Sequence, residues 1–123
     1  MKTYAVKYFL LALFIVSLSK EAYCEGTSQD PLMAQGKKIY EDMQCGSCHV
    51  FRKEGVSNIG PKLDEIASTM DGTMIREAII EPNRSIASGF KADIMPKDYR
   101  DKMSNADLDA LIYYLTNEKL DEN

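Results

Sequence analysis

Residues 45–49 combine three side chains whose types and spacing point to a specific chemistry. Cys45 and Cys48 are two thiols separated by two small residues, and His49 follows the second thiol directly. Two thiols at this spacing with an imidazole beside them are the pattern of covalent c-type haem attachment. Each sulfur would form a thioether with one vinyl group of the haem, and the short turn would direct a ring nitrogen of His49 at the iron. The segment therefore predicts one covalently bound haem c per chain.

Other uses of this segment are limited by the supply of ligands. A structural zinc site needs four Cys or His ligands, and the sequence offers one close pair of cysteines and a single histidine. A thioredoxin-type redox pair would lie in an alternating pattern of strands and helices, which is not visible here. A plain disulfide between Cys45 and Cys48 stays open as an alternative, but it would leave His49 without a role.

The second axial position of the iron cannot be filled by another histidine. A lysine, a methionine thioether or an open position remains. Of the seven methionines, Met70 and Met74 fit the apolar faces of predicted helices, whereas Met95 lies in a long loop beside the stiff residue Pro96. Met95 follows His49 by 46 residues, which is enough chain to reach the other face of a haem. A His/Met pair raises the reduction potential and leaves no position for a substrate, so we predict an electron carrier and not an enzyme.

The first 24 residues have the order of a secretory signal peptide. A basic start precedes an apolar run over residues 8–18, and Ala22 and Cys24 can occupy the small-residue positions before a cleavage site. The run is well short of the roughly 20 residues that span a bilayer, so no membrane span is expected after cleavage. Lipidation at Cys24 is the weaker alternative, because bulky and charged residues precede it. We predict export to the periplasm and one domain over residues 25–123.

The charge of this domain excludes one class of partner. Residues 25–123 hold 12 basic and 18 acidic side chains, a net charge of −6. No basic field is present to attract phosphates, so nucleic acid is not an expected ligand. Some basic residues could steer an acidic redox partner, although a scatter of solvated charges is the simpler interpretation. They are Lys53, Lys62, Lys91, Lys97, Arg100 and Lys102.

The elements that must position these residues are predicted to be helical. Helices are expected at about residues 32–44, where Asp30 is the predicted cap and Pro31 lies in the first turn, and at about residues 64–70 and 73–80. A last helix begins after the cap Ser104, with Asp107 completing a capping box. Residues 50–59 and 83–102 are predicted as loops. Gly36 in the middle of the first helix costs about 1 kcal/mol relative to alanine, so it indicates a close crossing by another element. No segment shows strand alternation, and the predicted fold class is all-α.

The order of these motifs resembles a class I monohaem cytochrome c of bacterial type, over essentially all of residues 30–117. The matching segments are Cys45-Gly46-Ser47-Cys48-His49, Gly60-Pro61-Lys62-Leu63, Met95-Pro96 and Leu111-Ile112-Tyr113-Tyr114-Leu115. The resemblance implies a cytochrome c-like fold of four or five helices wrapped round one covalent haem c. It also implies that Gly36 and Tyr40 pack against Leu111 and Tyr114, and that the Pro61 carbonyl accepts a hydrogen bond from the His49 nitrogen that does not bind iron.

The expected function is that of a soluble periplasmic electron carrier, with donor and acceptor proteins docking transiently at an exposed haem edge. A haem c subunit of a stable periplasmic dehydrogenase or oxidase complex is the alternative. Gas binding or peroxidase activity would need an open axial position, and Met95 counts against it. The chain has no tryptophan to hold the haem propionates, which leaves Tyr99, Arg84 and Lys62 as candidates.

Overall fold

The computed structural model describes residues 30–56 and 59–117, so the predicted signal peptide over residues 1–24 lies outside the described residues. The described chain is mostly helical, which confirms the all-α prediction. Its elements in order are α1 (Pro31–Asp42), a 3-10 turn (Cys45–Ser47), β1 (Val50–Phe51), β2 (Glu54–Gly55), α2 (Leu63–Thr69), α3 (Gly72–Ile80), α4 (Tyr99–Lys102) and α5 (Asn105–Thr116). Within this part of the chain, no helix has the length and apolar character needed to cross a membrane.

The prediction of plain loops over residues 50–59 and 83–102 was wrong in two places. The first range contains a short antiparallel hairpin, in which Phe51 pairs with Glu54. The two residues between them, Arg52 and Lys53, both have positive φ angles, of 51° and 69°. Such a turn usually carries Asn-Gly or Asp-Gly, and two-residue strands are too short to show alternation, so the sequence lacked both hairpin signals. The second range ends in the one-turn helix α4.

The first and last helices cross at a point where their backbones touch. A Cβ atom on Gly36 would clash with the Ala110 carbonyl oxygen and would lie 2.5 Å from the Tyr114 Cβ. One turn along α1 from this crossing, the centroids of the Tyr40 and Tyr114 rings are 5.8 Å apart. Leu111, which is 2% exposed, belongs to the same buried cluster. Gly36 is therefore required for close approach, and Ala110 is a contact residue that the sequence reasoning missed.

Local caps define where these two helices begin. The Asp30 carboxylate accepts a hydrogen bond from the Leu32 amide at 2.9 Å and a second one from the Tyr113 hydroxyl on α5. At the start of α5 the predicted capping box is present, because Ser104 and Asp107 exchange backbone-to-side-chain hydrogen bonds of 3.1 Å. The Asp30 contact means that the cap of α1 also ties the two terminal helices together.

The core lies between the hairpin, α3 and α5. Its buried members are Phe51, Ile75, Ile79, Met103, Leu108, Leu111, Tyr114 and Leu115. Met70 packs against this cluster from its edge, as expected, but Met74 is 49% exposed. The expectation for Met74 was wrong because α3 turns its Ile75 and Ile79 side to the core.

Candidate functional site

The two cysteines and the histidine lie on a tight turn that follows α1. Gln44 leaves the helix with a left-handed φ of 55°, and the 3-10 turn begins at Cys45. The amides of Cys48 and His49 both donate to the Cys45 carbonyl, at 3.2 and 3.0 Å. A Cβ on Gly46 would lie 3.2 Å from the Tyr40 hydroxyl oxygen, so the small residue lets α1 pack directly against the turn.

The hairpin and the segment after it hold this turn from outside. The Val56 amide donates to the Gly46 carbonyl at 3.1 Å, and the Gly60 amide donates to the Cys48 carbonyl at 2.8 Å. Gly55 has a φ of 98°, and a Cβ there would clash with the His49 carbonyl oxygen. These contacts keep the turn in one conformation, and sequence reasoning had assigned no role to Gly55.

The imidazole of His49 is held by its neighbours in one orientation. Its Nδ1 lies 2.7 Å from the Pro61 carbonyl oxygen. Because a carbonyl can only accept, Nδ1 must carry the proton, and in the neutral ring the lone pair is then on Nε2. A Cβ on Gly60 would lie 2.5 Å from Cε1 and 2.8 Å from Nδ1 of the ring. Gly60 belongs to the segment Gly60-Pro61-Lys62-Leu63 that the sequence analysis singled out, but its contact with the His49 ring was not predicted.

A cavity of about 630 Å³ opens beside the turn. Cys45, Cys48, His49 and Met95 all line it. Most of its remaining wall is apolar, and includes Leu63, Ile66, Ile75, Ile79, Phe90 and Leu115. Its volume falls in the range of roughly 300–1,000 Å³ that is usual for ligand and cofactor sites. The fold therefore brings the two thiols, the histidine and the loop methionine to one apolar chamber.

A smaller cavity of about 40 Å³ is also lined by both His49 and Met95. Cys45 and Tyr99 line it as well. His49 and Met95, which are far apart in the sequence, thus border a second common space in the fold.

A family model described as Cytochrome c matches residues 33–119, which is more than half of the chain. The chain belongs to the cytochrome c family. Searches among curated proteins and among solved structures found no match to it. Membership implies covalently bound haem c and haem-based electron transfer, and the spacing of Cys45 and Cys48 is the one that attachment needs.

The residues of this cytochrome fit such a group. Cys45 and Cys48 are free thiols and not a disulfide, which is the state that thioether formation requires. Within residues 30–56 and 59–117, no cluster of three or more His, Cys, Asp or Glu side chains is placed to hold a metal ion, so the zinc alternative has no ligand set there. Thiols, an imidazole and a large apolar chamber are the features that an attached porphyrin requires.

Burial at the wall of the chamber disfavours charge on its titratable side chains. Burial raises the pKa of the Cys45 thiol to about 11 and that of the Tyr40 hydroxyl to about 12. Burial also raises the pKa of Tyr99. Of these three residues, Cys45 and Tyr99 line the chamber, so the raised pKa values show that this part of its wall favours neutral groups such as an apolar ring.

The residues considered for the haem propionates are divided between the chamber and the surface. Tyr99 lines the chamber, whereas Arg84 and Lys62 do not belong to its wall. Arg84 pairs with Glu77, and Lys62 pairs with Glu65 at 3.4 Å. Other polar residues that do line the chamber include Asn83, Ser85, Lys91 and Lys102, and the sequence had not singled them out for this role.

Proposed function

We propose that this chain is an exported one-electron carrier of the periplasm, with His49 and Met95 as the axial ligands of its haem iron. The observation that carries the proposal is that both side chains line one apolar chamber together with Cys45 and Cys48. Nδ1 of His49 donates a hydrogen bond to the Pro61 carbonyl, which leaves the lone pair of Nε2 available to bind iron. Met95 is the only chamber residue on the loop over residues 81–98 that carries a thioether.

When bound, the haem supplies reversible one-electron oxidation and reduction of its iron. The protein residues would control this change by holding one geometry in both states. The Pro61 carbonyl restrains the His49 ring and raises its basicity as a ligand. The thioether of Met95 would favour the reduced iron, and an apolar wall that excludes water would act in the same direction, because it would disfavour the more highly charged state.

Redox partners would dock transiently where the haem edge reaches the surface. Several basic residues that could have steered an acidic partner are neutralised by neighbouring acids. Lys97 pairs with Asp93, Arg100 with Glu81 at 3.5 Å, and Lys102 with Asp98 at 2.8 Å. With a net charge of −6 for residues 25–123, the proposed partner instead presents a basic docking face.

The axial assignment is tested by comparing Met95→Ala with Met74→Ala. Met74 is an exposed helical methionine outside the chamber, so it is a matched control for the loss of one thioether. The ferric Met95→Ala protein should lose its low-spin spectrum, or bind added imidazole readily, while Met74→Ala keeps the wild-type spectrum. An unchanged spectrum in Met95→Ala would remove Met95 as the ligand.

Export and the carrier role need a separate measurement. The protein should be recovered from the periplasm without residues 1–24, with the mass of one haem added and with a reversible one-electron couple. A free carrier should elute as an isolated small protein from that fraction. Co-elution with a dehydrogenase or oxidase through every purification step would favour a subunit of a stable complex instead.

A further inference from the structure

Asn83 and Asp93 form a side-chain contact across the loop that carries Met95. The Asn83 amide donates to the Asp93 carboxylate at 2.8 Å, and the Asn83 carbonyl accepts from the Asp93 backbone amide at 3.0 Å. The contact is reciprocal, because each residue both donates and accepts. It joins the residue just after Pro82 to the residue two positions before Met95.

The rest of this loop has few other polar contacts with the body of the protein. Residues 92–93 form a turn and Met95 packs against the core, but within the described chain the only other polar contact that residues 91–97 make is the Lys97–Asp93 ion pair inside the loop itself. Asp93 has a left-handed φ of 62°, a conformation that its amide contact with Asn83 helps to maintain. The upstream end is firm, because α3 buries Ile75 and Ile79 in the core and ends shortly before Asn83. Asn83 thus links the end of helix α3, which is anchored in the core, to the loop residues that lead into Met95.

We propose that Asn83 is a positioning residue for the Met95 ligand, acting through its reciprocal hydrogen bonds with Asp93. This inference rests on the proposed axial role of Met95. Without the two Asn83–Asp93 hydrogen bonds, the residues before Met95 would gain conformational freedom, and the thioether would spend more time away from the iron. The Lys97–Asp93 ion pair is exposed on both sides and contributes little by comparison.

The test is titration of the ferric holoprotein with imidazole, which must displace Met95 in order to bind. The apparent dissociation constant falls as the displaced state becomes more populated. Asn83→Ala, which removes both hydrogen bonds, should tighten imidazole binding about three- to tenfold. Asp93→Asn keeps the acceptor oxygen and the backbone amide, so it should bind imidazole like wild type. Lys97→Ala, which removes only the ion pair, is the control and should also match wild type.

Each outcome decides the question. The proposal is overturned if Asn83→Ala binds imidazole like wild type, or if Lys97→Ala tightens binding as much as Asn83→Ala does. Should Asn83→Ala fail to fold, Asn83→Asp gives the same reading, because it replaces the amide donor by a carboxylate that faces Asp93. The Met95→Ala spectrum separates the two proposals: if it shows that Met95 binds iron while Asn83→Ala is silent, only the positioning role fails.

Discussion

Replacing Gly60 by alanine should directly disturb His49, the proposed histidine ligand. The new Cβ would lie 2.5 Å from Cε1 of His49, and ordinary van der Waals contact begins at 3.4 Å, so the ring must move by about 0.9 Å. The Nδ1 hydrogen bond to Pro61 is 2.7 Å long, and a shift of this size away from Gly60 would stretch or misalign it. Losing the partner that orients a metal-ligating histidine typically lowers metal affinity or activity 10- to 100-fold.

The assay is absorption and electron paramagnetic resonance of the ferric holoprotein, together with its reduction potential. Gly60→Ala should show a mixed or high-spin population, whereas wild type should be low-spin with the proposed His49 and Met95 ligands. Gly72→Ala is the control, since a Cβ there would meet only one methyl group of Ile112, at 3.2 Å. If Gly60→Ala kept the wild-type spectrum and potential, the argument that Gly60 sets the ring position would be refuted.

Three further predictions concern stability. Gly36→Ala should destabilise the holoprotein by about 1–3 kcal/mol, or roughly 4–20 °C in Tm, because the backbone contact with α5 outweighs the gain of about 1 kcal/mol in helix propensity. Tyr40→Phe should leave the free energy of unfolding unchanged or raise it by about 1 kcal/mol, since the buried Tyr40 hydroxyl has no hydrogen-bond partner among the described residues. The Tyr113 hydroxyl and then the Leu32 amide lower the pKa of Asp30 below its ordinary value of 3.8. The ionised Asp30 carboxylate should therefore add to the free energy of unfolding above about pH 4, and this stabilisation should be lost as the pH falls through the lowered pKa.

Each of these predictions has its own control. For Gly36, thermal unfolding is compared with Gly72→Ala, and equal stability of the two variants would contradict a backbone crossing. For Tyr40, urea unfolding is compared with Tyr113→Phe, which loses a real hydrogen bond; a loss in Tyr40→Phe as large as in Tyr113→Phe would show that the Tyr40 hydroxyl has a partner. For Asp30, the urea midpoint should fall less between pH 5 and pH 3 in Tyr113→Phe than in wild type, because the Tyr113 hydroxyl is the main cause of the lowered pKa. Parallel pH profiles of the two proteins would argue against a link between the Tyr113 hydrogen bond and the pKa of Asp30.

The helices could be predicted where their signals are local. Asp30 with Pro31, and Ser104 with Asp107, cap their helices through contacts only a few residues apart, and both starts were found correctly. The hairpin could not be predicted in this way. Arg52 has a positive φ, and long-range contacts accompany it: its amide donates to the Asp64 carboxylate at 3.1 Å, and its guanidinium donates to the Asn117 carbonyl at 3.0 Å.

The basic residues show the same difference between composition and arrangement. A count of lysines and arginines indicated a scatter of charges that could steer a partner. The fold places an acidic side chain within ion-pair distance of several of them, as with Lys102 and Asp98, and thereby reduces the field they present. No count of residues could have supplied that pairing, because Arg100 meets Glu81 only through the packing of the loop.

The sequence by itself determined the cofactor chemistry, because the two thiols and the imidazole of residues 45–49 are contiguous and their spacing survives any arrangement of the remaining chain. The tertiary structure decided how the residues around that segment meet, including the contacts of Gly60 and Asn83 that the sequence did not predict. Pro61 orients His49, Gly60 bounds its ring, and Met95 reaches the same chamber from a loop across which Asn83 contacts Asp93. These residues lie 11 to 46 positions from His49, and their meeting depends on the packing of α1 against α5 and of α3 against the core.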